Sequence, residues 1–413
     1  MLKQEPLNAT LVRAGDGLQN AEPLGQGIYM SRDVSNCYRV ITAEGDVMIN
    51  TGFPPNGSEN HRRLSVVSEN PISKIIFTQS HPDHIGGWRW FVQDETETIA
   101  QANFDHVYGY FEALRPAMTR RSRHLWKRDI KETLQEFVKP KIDTFFSDYH
   151  RFELGGREFQ MFSTPGGETL DSVVVWLPKE RVVFTGNLTG PLFGHVPNLY
   201  TLRGDKIRYV QWYIDGVQRV IDLQPEMLIT GHGEPIKGRD KIQQELNRIV
   251  AAVTYVKNET LDGMNQGKSL WQLMRDIRLP DALAIGQGHG KVMWMVRAIW
   301  EEHFGWFRFE STTELYPVPA REVYADVARM LGPEKLLQKA QAYLKQQLPM
   351  HAIHLLEMAA AGNPNTATIL IELQKAHRMQ LALSGRENFS EVRWLESEIS
   401  RIDEKLKEDK ANA

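Results

Sequence analysis

The sequence predicts an α/β sandwich over its first part and an all-α region after it. Short β-rich runs alternate with helical stretches up to about residue 236, the pattern of an α/β fold. Beyond that point apolar residues recur at helical spacing instead. The apolar strand runs also end in Gly-rich polar turns, and loops at strand ends are where α/β folds assemble sites.

Strand signals come first. Cys37–Thr42 and Asp46–Ile49 flank the turn Ala43-Glu44-Gly45 and read as a hairpin. Lys74–Thr78 is a compact β-branched run, and Arg157–Ser163, Val173–Leu177, Arg181–Thr185 and Met227–Thr230 follow it. Phe104–Val138 reads as a helix broken near Pro116, and Lys206–Leu223 as another. Helices are then expected at Lys241–Asn258, Gly290–His303, Ala320–Leu331, Pro333–Gln347, Thr366–Leu383 and Glu391–Lys410. Asn363-Pro364-Asn365 punctuates stacked helical hairpins that bring Ala340, Ala342, Ala359, Ala360 and Ala361 to close-contact positions. Pro317 and Pro319 mark a boundary, giving domains 1–316 and 317–413.

Composition narrows the function. At 413 residues the chain exceeds one compact core. Its 41% apolar and 24% charged content is that of a globular protein. The formal charge of −3 shows no basic surplus, which argues against nucleic acid as a partner. Cys37 is the only cysteine, so intrachain disulfides and Cys-rich zinc modules are excluded. The N-terminal residues lack the apolar stretch of a signal peptide. The longest apolar runs are far shorter than a membrane span. A cytoplasmic protein with no membrane partner is expected.

The chemical signal is the run Thr78-Gln79-Ser80-His81-Pro82-Asp83-His84-Ile85-Gly86-Gly87 directly after a strand. Two imidazoles and a carboxylate within four residues suit a borderline cation such as zinc. Pro165-Gly166-Gly167-Glu168, Thr185-Gly186-Asn187 and Thr230-Gly231-His232-Gly233 each follow another strand. This spacing resembles the metallo-β-lactamase superfamily, and within it the alkyl sulfatases. Thr164–Glu168, with glutamate where the superfamily usually has histidine, and Asn198-Leu199-Tyr200-Thr201-Leu202-Arg203-Gly204 carry the closer match. Phe304-Gly305-Trp306-Phe307 and the helices around Leu331–Asn365 resemble that family's dimerisation region.

The resemblance implies an αββα sandwich followed by an all-α dimerisation domain, and a homodimer. The family's further C-terminal sterol-carrier-like domain is expected to be lacking. The implied first metal position uses Gln79, His81 and Glu168. The second uses Asp83, His84 and His232, with Asn187 bridging. Three positions depart from the family: Gln79 stands for histidine, Asn187 for a carboxylate, and Asn50 for the aspartate of the usual I-D-T-G segment. Each replaces a charged or strongly coordinating group with an amide, so Gln79 and Asn187 are either ligands, hydrogen-bonding neighbours of the ligands or plain loop residues. One or two Zn2+ ions are expected, with iron or manganese as alternatives.

The expected activity is hydrolysis of an ester, including a sulfate ester, by hydroxide formed on the metal. Asp83 would bind metal and orient the nucleophile, His195 would act as general acid, and Asp171 would fix a ligand imidazole. Arg203, with Asn198 and Thr201, would grip the sulfate oxygens or else form a salt bridge inside the fold. Trp88, Trp90, Phe91, Tyr108, Tyr110 and Phe111 form either core or an apolar wall for an alkyl or aryl group. Arg115, Arg120, Arg121, Arg123, Lys127 and Arg128 form either a solvated helix face or an entrance for anions. The alternatives to a sulfatase are a one-metal esterase or lactonase, and a binding or scaffold protein that lost catalysis.

Overall fold

The computed structural model of the chain describes residues 10–11, 13–126, 137–206, 208–362 and 367–411. The chain divides into two compact units, Met1–His303 and Phe304–Ala413, so the Pro317 and Pro319 boundary lies a short way inside the second.

Two sheets form the first unit. One runs in sequence order through β1 (Glu22–Gly25), β2 (Ile28–Ser31), β3 (Cys37–Val40), β4 (Asp46–Ile49), β5 (Ile72–Ile76), β6 (Glu97–Gln101) and β7 (Thr144–Phe146). It is antiparallel as far as β4 and parallel from β4 to β7. The other contains β8 (Tyr149–Leu154), β9 (Arg157–Ser163), β10 (Val173–Leu177), β11 (Val182–Gly186), β12 (Met227–Thr230) and β13 (Ile236–Lys237). Within it only β11 and β12 are parallel.

β10 shows how sequence sets the layers. Successive strand side chains point to opposite faces. Val173, Val175 and Leu177 enter the core between the sheets with Val40, Ile49 and Phe159. Val174 and Trp176 face the other way, into a core with Val217, Val220, Ile249 and Ile299 from the helices Val210–Leu223, Arg239–Asn265 and Val292–Phe304. The outer face of the first sheet is covered in the same manner, with Met48, Ile75 and Phe77 against Leu64, Phe91 and Phe104. A strand apolar on both faces therefore needs cover on both, which gives the αββα order. Each fully buried Val or Ile contributes roughly 1.5–3 kcal/mol relative to exposure.

The helix expected over Phe104–Val138 runs as Phe104–Trp126 straight through Pro116. The proline removes one backbone donor, and its i−4 partner Glu112 is exposed, so the freed carbonyl is open to solvent. Residues 127–136 of that expected helix, with Lys127 and Arg128, fall outside the described residues, as does the Asn363-Pro364-Asn365 turn, while Phe137 and Val138 are not helical.

The second unit is all helical, with Tyr324–Leu331, Pro333–Lys345, Pro349–Gly362, Ala367–Leu383 and Phe389–Ala411 as its main helices. Ala328, Ala340, Ala352, Ala359 and Ala376 are fully buried among Leu336, Leu356, Leu370 and Ile402. Small side chains here let helix axes approach closely. Ala342 and Ala360 are half-buried and Ala361 is exposed. Among the described residues no helix is long and apolar enough to cross a membrane.

Candidate metal centre

The parallel strand pairs β4/β5 and β11/β12 place their C-terminal ends at one edge of the sandwich. Asn50, the run Thr78–His84, Asn187 and His232 all follow from those ends. The two sheets are tied there by Val173 N–H donating to the Thr78 carbonyl (2.8 Å) and by Tyr38 Oη donating to the Thr230 carbonyl (2.8 Å). Pro82 opens the short helix Pro82–Ile85, and its fixed φ suits a first helical turn. That turn buries His84 completely and leaves the Asp83 side chain 23% exposed.

Asp83, His84 and His232 offer three ligand atoms within 4.8 Å of one another. Asp83 Oδ2 lies 3.7 Å from His84 Nε2 and 3.8 Å from His232 Nε2. The two rings stand at 89° to each other. Burial alone would raise the Asp83 carboxyl, but the surrounding imidazoles outweigh it and hold its pKa below the usual value. Burial pushes His84 down to about 4, so its imidazole is neutral at pH 7, the form a metal requires. His232 Nδ1 faces the carbonyl of Val34. The Val34 segment is itself held by buried Asp33, which accepts from the Phe53 N–H (2.7 Å), Asn56 Nδ2 (2.6 Å) and Asn60 Nδ2 (2.6 Å). Asn187 Oδ1 is buried with no hydrogen-bond partner. A Cβ built on Gly231 would lie 2.5 Å from that oxygen and 2.8 Å from His84 Cε1, so a glycine is what lets the amide oxygen reach the imidazole. A carboxylate, two imidazoles and an unpartnered amide oxygen fit one divalent cation.

Asn50 governs one nitrogen of this set. Its Oδ1 accepts the Thr78 N–H (2.9 Å), which turns its Nδ2 toward His84 Nδ1 (3.0 Å). An imidazole accepting there carries its proton on Nε2, the nitrogen facing Asp83. Ser35 Oγ, 3.1 Å from Nδ1, is the acceptor left for the opposite tautomer. Asn50→Asp would add a strong acceptor at Nδ1 and free the Nε2 lone pair. We expect it to tighten metal binding about tenfold or more, measured by competition with a chelator; unchanged affinity would mean that residue 50 does not set the tautomer.

The Glu168 side differs. Glu168 Oε1 accepts from Arg203 (2.9 Å) and Arg208 (3.1 Å), while Oε2 faces the amide nitrogens of Gln79 (3.3 Å) and Asn187. Gln79 Nε2 also donates to His81 Nδ1 (2.7 Å). Burial opposes ionisation of Glu168, yet His81, Arg208 and Arg203 hold its pKa well below the usual carboxylate value. Burial would lower His81, but Glu168 outweighs that and raises it. Four N–H donors surround this carboxylate. Gln79, His81 and Glu168 are thus brought together, with His81 Nδ1 3.3 Å from Glu168 Oε2, while Gln79 Oε1 and His81 Nε2 are buried without hydrogen-bond partners.

The substrate-side residues are held more tightly than the sequence suggests. Arg203 donates from Nε to Asp205 (2.8 Å) and from its terminal nitrogen to Glu168, so its fork is already engaged. Thr201 Oγ1 serves its own turn, accepting the N–H of Gly204 (3.2 Å) and Asp205 (3.1 Å). Asn198 Oδ1 is buried and without a partner. His195 Nδ1 accepts the Gly288 N–H (3.1 Å), leaving its ring proton on Nε2. A Cβ at Gly286 would come within 2.3 Å of that ring, so a bare backbone is required beside it. Asp171 bonds Thr169 Oγ1 (2.5 Å) rather than a ligand imidazole. Of the flanking aromatics, Phe111 stands edge-on to His81 with centroids 4.9 Å apart. Phe91 is core and Trp90 is exposed. Arg121 clamps the carbonyls of Leu202 (2.9 Å) and Arg203 (2.6 Å), so this arginine does more than solvate a helix face.

Sequence reasoning missed Arg208 and His289. Both are buried beside Glu168 and Arg203. The repeat of Gly-His-Gly at 231–233 and 288–290 was a signal for His289. Burial, reinforced by Arg208, pushes His289 down to about 3. An unfolded histidine titrates near 6.5, so below that pH the unfolded chain gains a proton that the folded chain refuses. The neutral His289 therefore stabilises fully above pH 6.5, and that contribution is lost between about 6.5 and 3. Urea melts should show His289→Gln losing less stability than the unmodified chain between pH 6.5 and 4, by ~1 kcal/mol per pH unit. Parallel losses would contradict this.

The metallo-beta-lactamase superfamily model matches residues 30–232, and the alkyl sulfatase dimerisation model matches residues 271–386. A linear primary-alkylsulfatase of a Pseudomonas species is 28% identical over 332 residues, covering 73% of this chain and 62% of the relative. The alkyl/aryl-sulfatase BDS1 of Saccharomyces cerevisiae is 23% identical over 341 residues, covering 75% of this chain and 52% of the relative. The chain thus spans less than two thirds of the length of these relatives. Among solved structures, the stereoselective inverting sec-alkylsulfatase Pisa1 from Pseudomonas sp. superposes with a TM-score of 0.79 at 19% identity, covering 94% of this chain and 65% of that one.

Proposed function

Because the chain belongs to the metallo-β-lactamase superfamily, in its alkyl sulfatase-like branch, we propose that it hydrolyses sulfate esters of apolar alcohols at a metal centre. The observation that carries this reading is the convergence of Asp83, His84 and His232 at the strand ends, beside the Arg203 loop. These three residues would hold the metal, for which zinc suits the nitrogen and oxygen donors. A divalent cation there supplies Lewis acidity and an activated water at neutral pH.

The chain's own residues do the rest. Asp83 orients the attacking water. Arg203, fixed by Asp205 and Glu168, puts positive charge beside the sulfate, and Asn198 and Thr201 border the same loop. His195 offers its Nε2–H as a hydrogen bond to the leaving alcohol oxygen, which takes its proton from the attacking water. Water and the ester thereby give an alcohol and hydrogen sulfate. Phe111 lines the side on which an alkyl chain lies. The substrate is a small molecule with an apolar portion, and nucleic acid and membrane are not partners. The protein works in the cytoplasm.

Residues 1–316 serve catalysis and 317–413 dimerisation. Within 317–413, Met330 is 85% exposed and Val318, Val323 and Leu383 are about half exposed, and exposed apolar patches mark interfaces. Light scattering should give a homodimer at micromolar concentration, and truncation after Glu314 a monomeric or insoluble product; a stable full-length monomer would contradict that.

Purified, metal-loaded protein should release sulfate from dodecyl sulfate and be much slower on neutral dodecanoate esters and lactones. Turnover of neutral esters alone would replace the reading with an esterase or lactonase. No turnover of either would leave a binding protein.

A further inference from the structure

We propose that the family's first metal position is filled in this chain by its own side chains, so that the protein holds one metal ion and not two. The proposal rests on Asp83, His84 and His232 as the metal position. It concerns the other half of the centre, where Gln79, His81 and Glu168 would be the ligands.

A metal ligand must offer a lone pair, and on Glu168 the lone pairs are spoken for, although Gln79 Oε1 and His81 Nε2 are buried without hydrogen-bond partners. Both oxygens of Glu168 accept from nitrogen donors: Arg203 and Arg208 on Oε1, and Gln79 and Asn187 on Oε2. Glu168 and Arg208 are fully enclosed, with side chains 9% and 5% exposed, so water cannot readily replace one donor with another. The nearer face of His81 accepts from Gln79 as well. A cation seated between Gln79, His81 and Glu168 would have to displace the amide donors of Gln79 and Asn187 from Oε2 of a carboxylate that Arg203 and Arg208 already neutralise at Oε1. The local charges close without it, since Arg203 and Arg208 balance Glu168 and Asp205.

The bridging position argues the same way. Two neighbouring dications need an anionic bridge to offset their repulsion. Asn187 is neutral, and its amide is polarised: Nδ2 points to Glu168, and Oδ1 lies beside His84 without a partner. One end of this amide serves the guanidinium-bound carboxylate. The other end is a neutral oxygen turned toward the Asp83–His84–His232 position. Asn187 thereby separates a metal half from a metal-free half.

The test is metal stoichiometry. Protein stripped with chelator, reloaded with excess Zn2+ or Mn2+ and desalted is measured by native mass spectrometry and elemental analysis. The unmodified chain should carry one equivalent. His232→Ala should carry none, whereas Gln79→Ala and Glu168→Gln should each keep one. Circular dichroism confirms folding, and the milder Gln79→Ala answers the question if Glu168→Gln does not fold. Two equivalents in the unmodified chain, or loss of the metal in Gln79→Ala, would overturn this proposal and leave the metal-dependent reading intact. No metal at all would overturn both.

Discussion

His232→Ala should abolish metal binding and cut sulfate-ester turnover by on the order of 10³-fold or more, because the water activation supplied by the cation is lost. His232 is one of three converging donors, and the remaining two leave the coordination sphere open. His84→Ala should behave alike. His124, exposed on the helix Phe104–Trp126, provides the control: His124→Ala should keep near-normal turnover. Initial rates of sulfate release and bound metal per chain, measured on the same preparations, decide it. Near-normal turnover in either ligand variant would place the chemistry elsewhere.

The second large effect is on stability. Arg208→Ala removes one of the two cations balancing Glu168 and Asp205 and leaves a buried carboxylate uncompensated. Breaking such a buried pair costs about 3–5 kcal/mol, a large part of an ordinary domain's stability. Urea denaturation should show that loss. The double change Arg208→Ala with Glu168→Gln should recover part of it, since the stranded charge is then gone. A loss under about 1 kcal/mol for Arg208→Ala would mean that the pair is solvated and that the Glu168 cluster is weaker than its geometry implies.

Much of the sandwich was legible because its central strands are short, apolar and bounded by turns. Val173–Leu177 is predicted residue for residue, and the Ala43-Glu44-Gly45 hairpin pairs as expected. β8 was not legible. Tyr149–Leu154 carries His150, Arg151 and Glu153, charges that suit an edge strand and erase the apolar signal. β6 and β7 are short and lie on either side of the long helix Phe104–Trp126, so neither has a period long enough to read. Propensity also misjudged Pro116, because a helix face open to water tolerates the missing bond.

The grouping of Asp83 with His84 was legible for a different reason. Asp83 and His84 are adjacent, and their spacing to each other is fixed by one short turn. The Glu168 half depends on contacts between residues distant in sequence, such as Glu168 with Arg208 and Gln79 with Glu168. Sequence identifies Gln79 and Asn187 as amides but not the direction in which each amide points. That direction separates a weak ligand from a hydrogen-bond donor. The fork of Arg203 illustrates the same limit: its chemistry is readable from the residue type, while its engagement by Asp205 is set by the fold.

The most direct test is an anomalous-difference map from crystals of metal-loaded protein, collected at the zinc edge. One peak per chain is expected, within bonding distance of Asp83, His84 and His232 and next to Asn187 Oδ1. A peak on Glu168 and His81, or no peak at saturating metal, would contradict it.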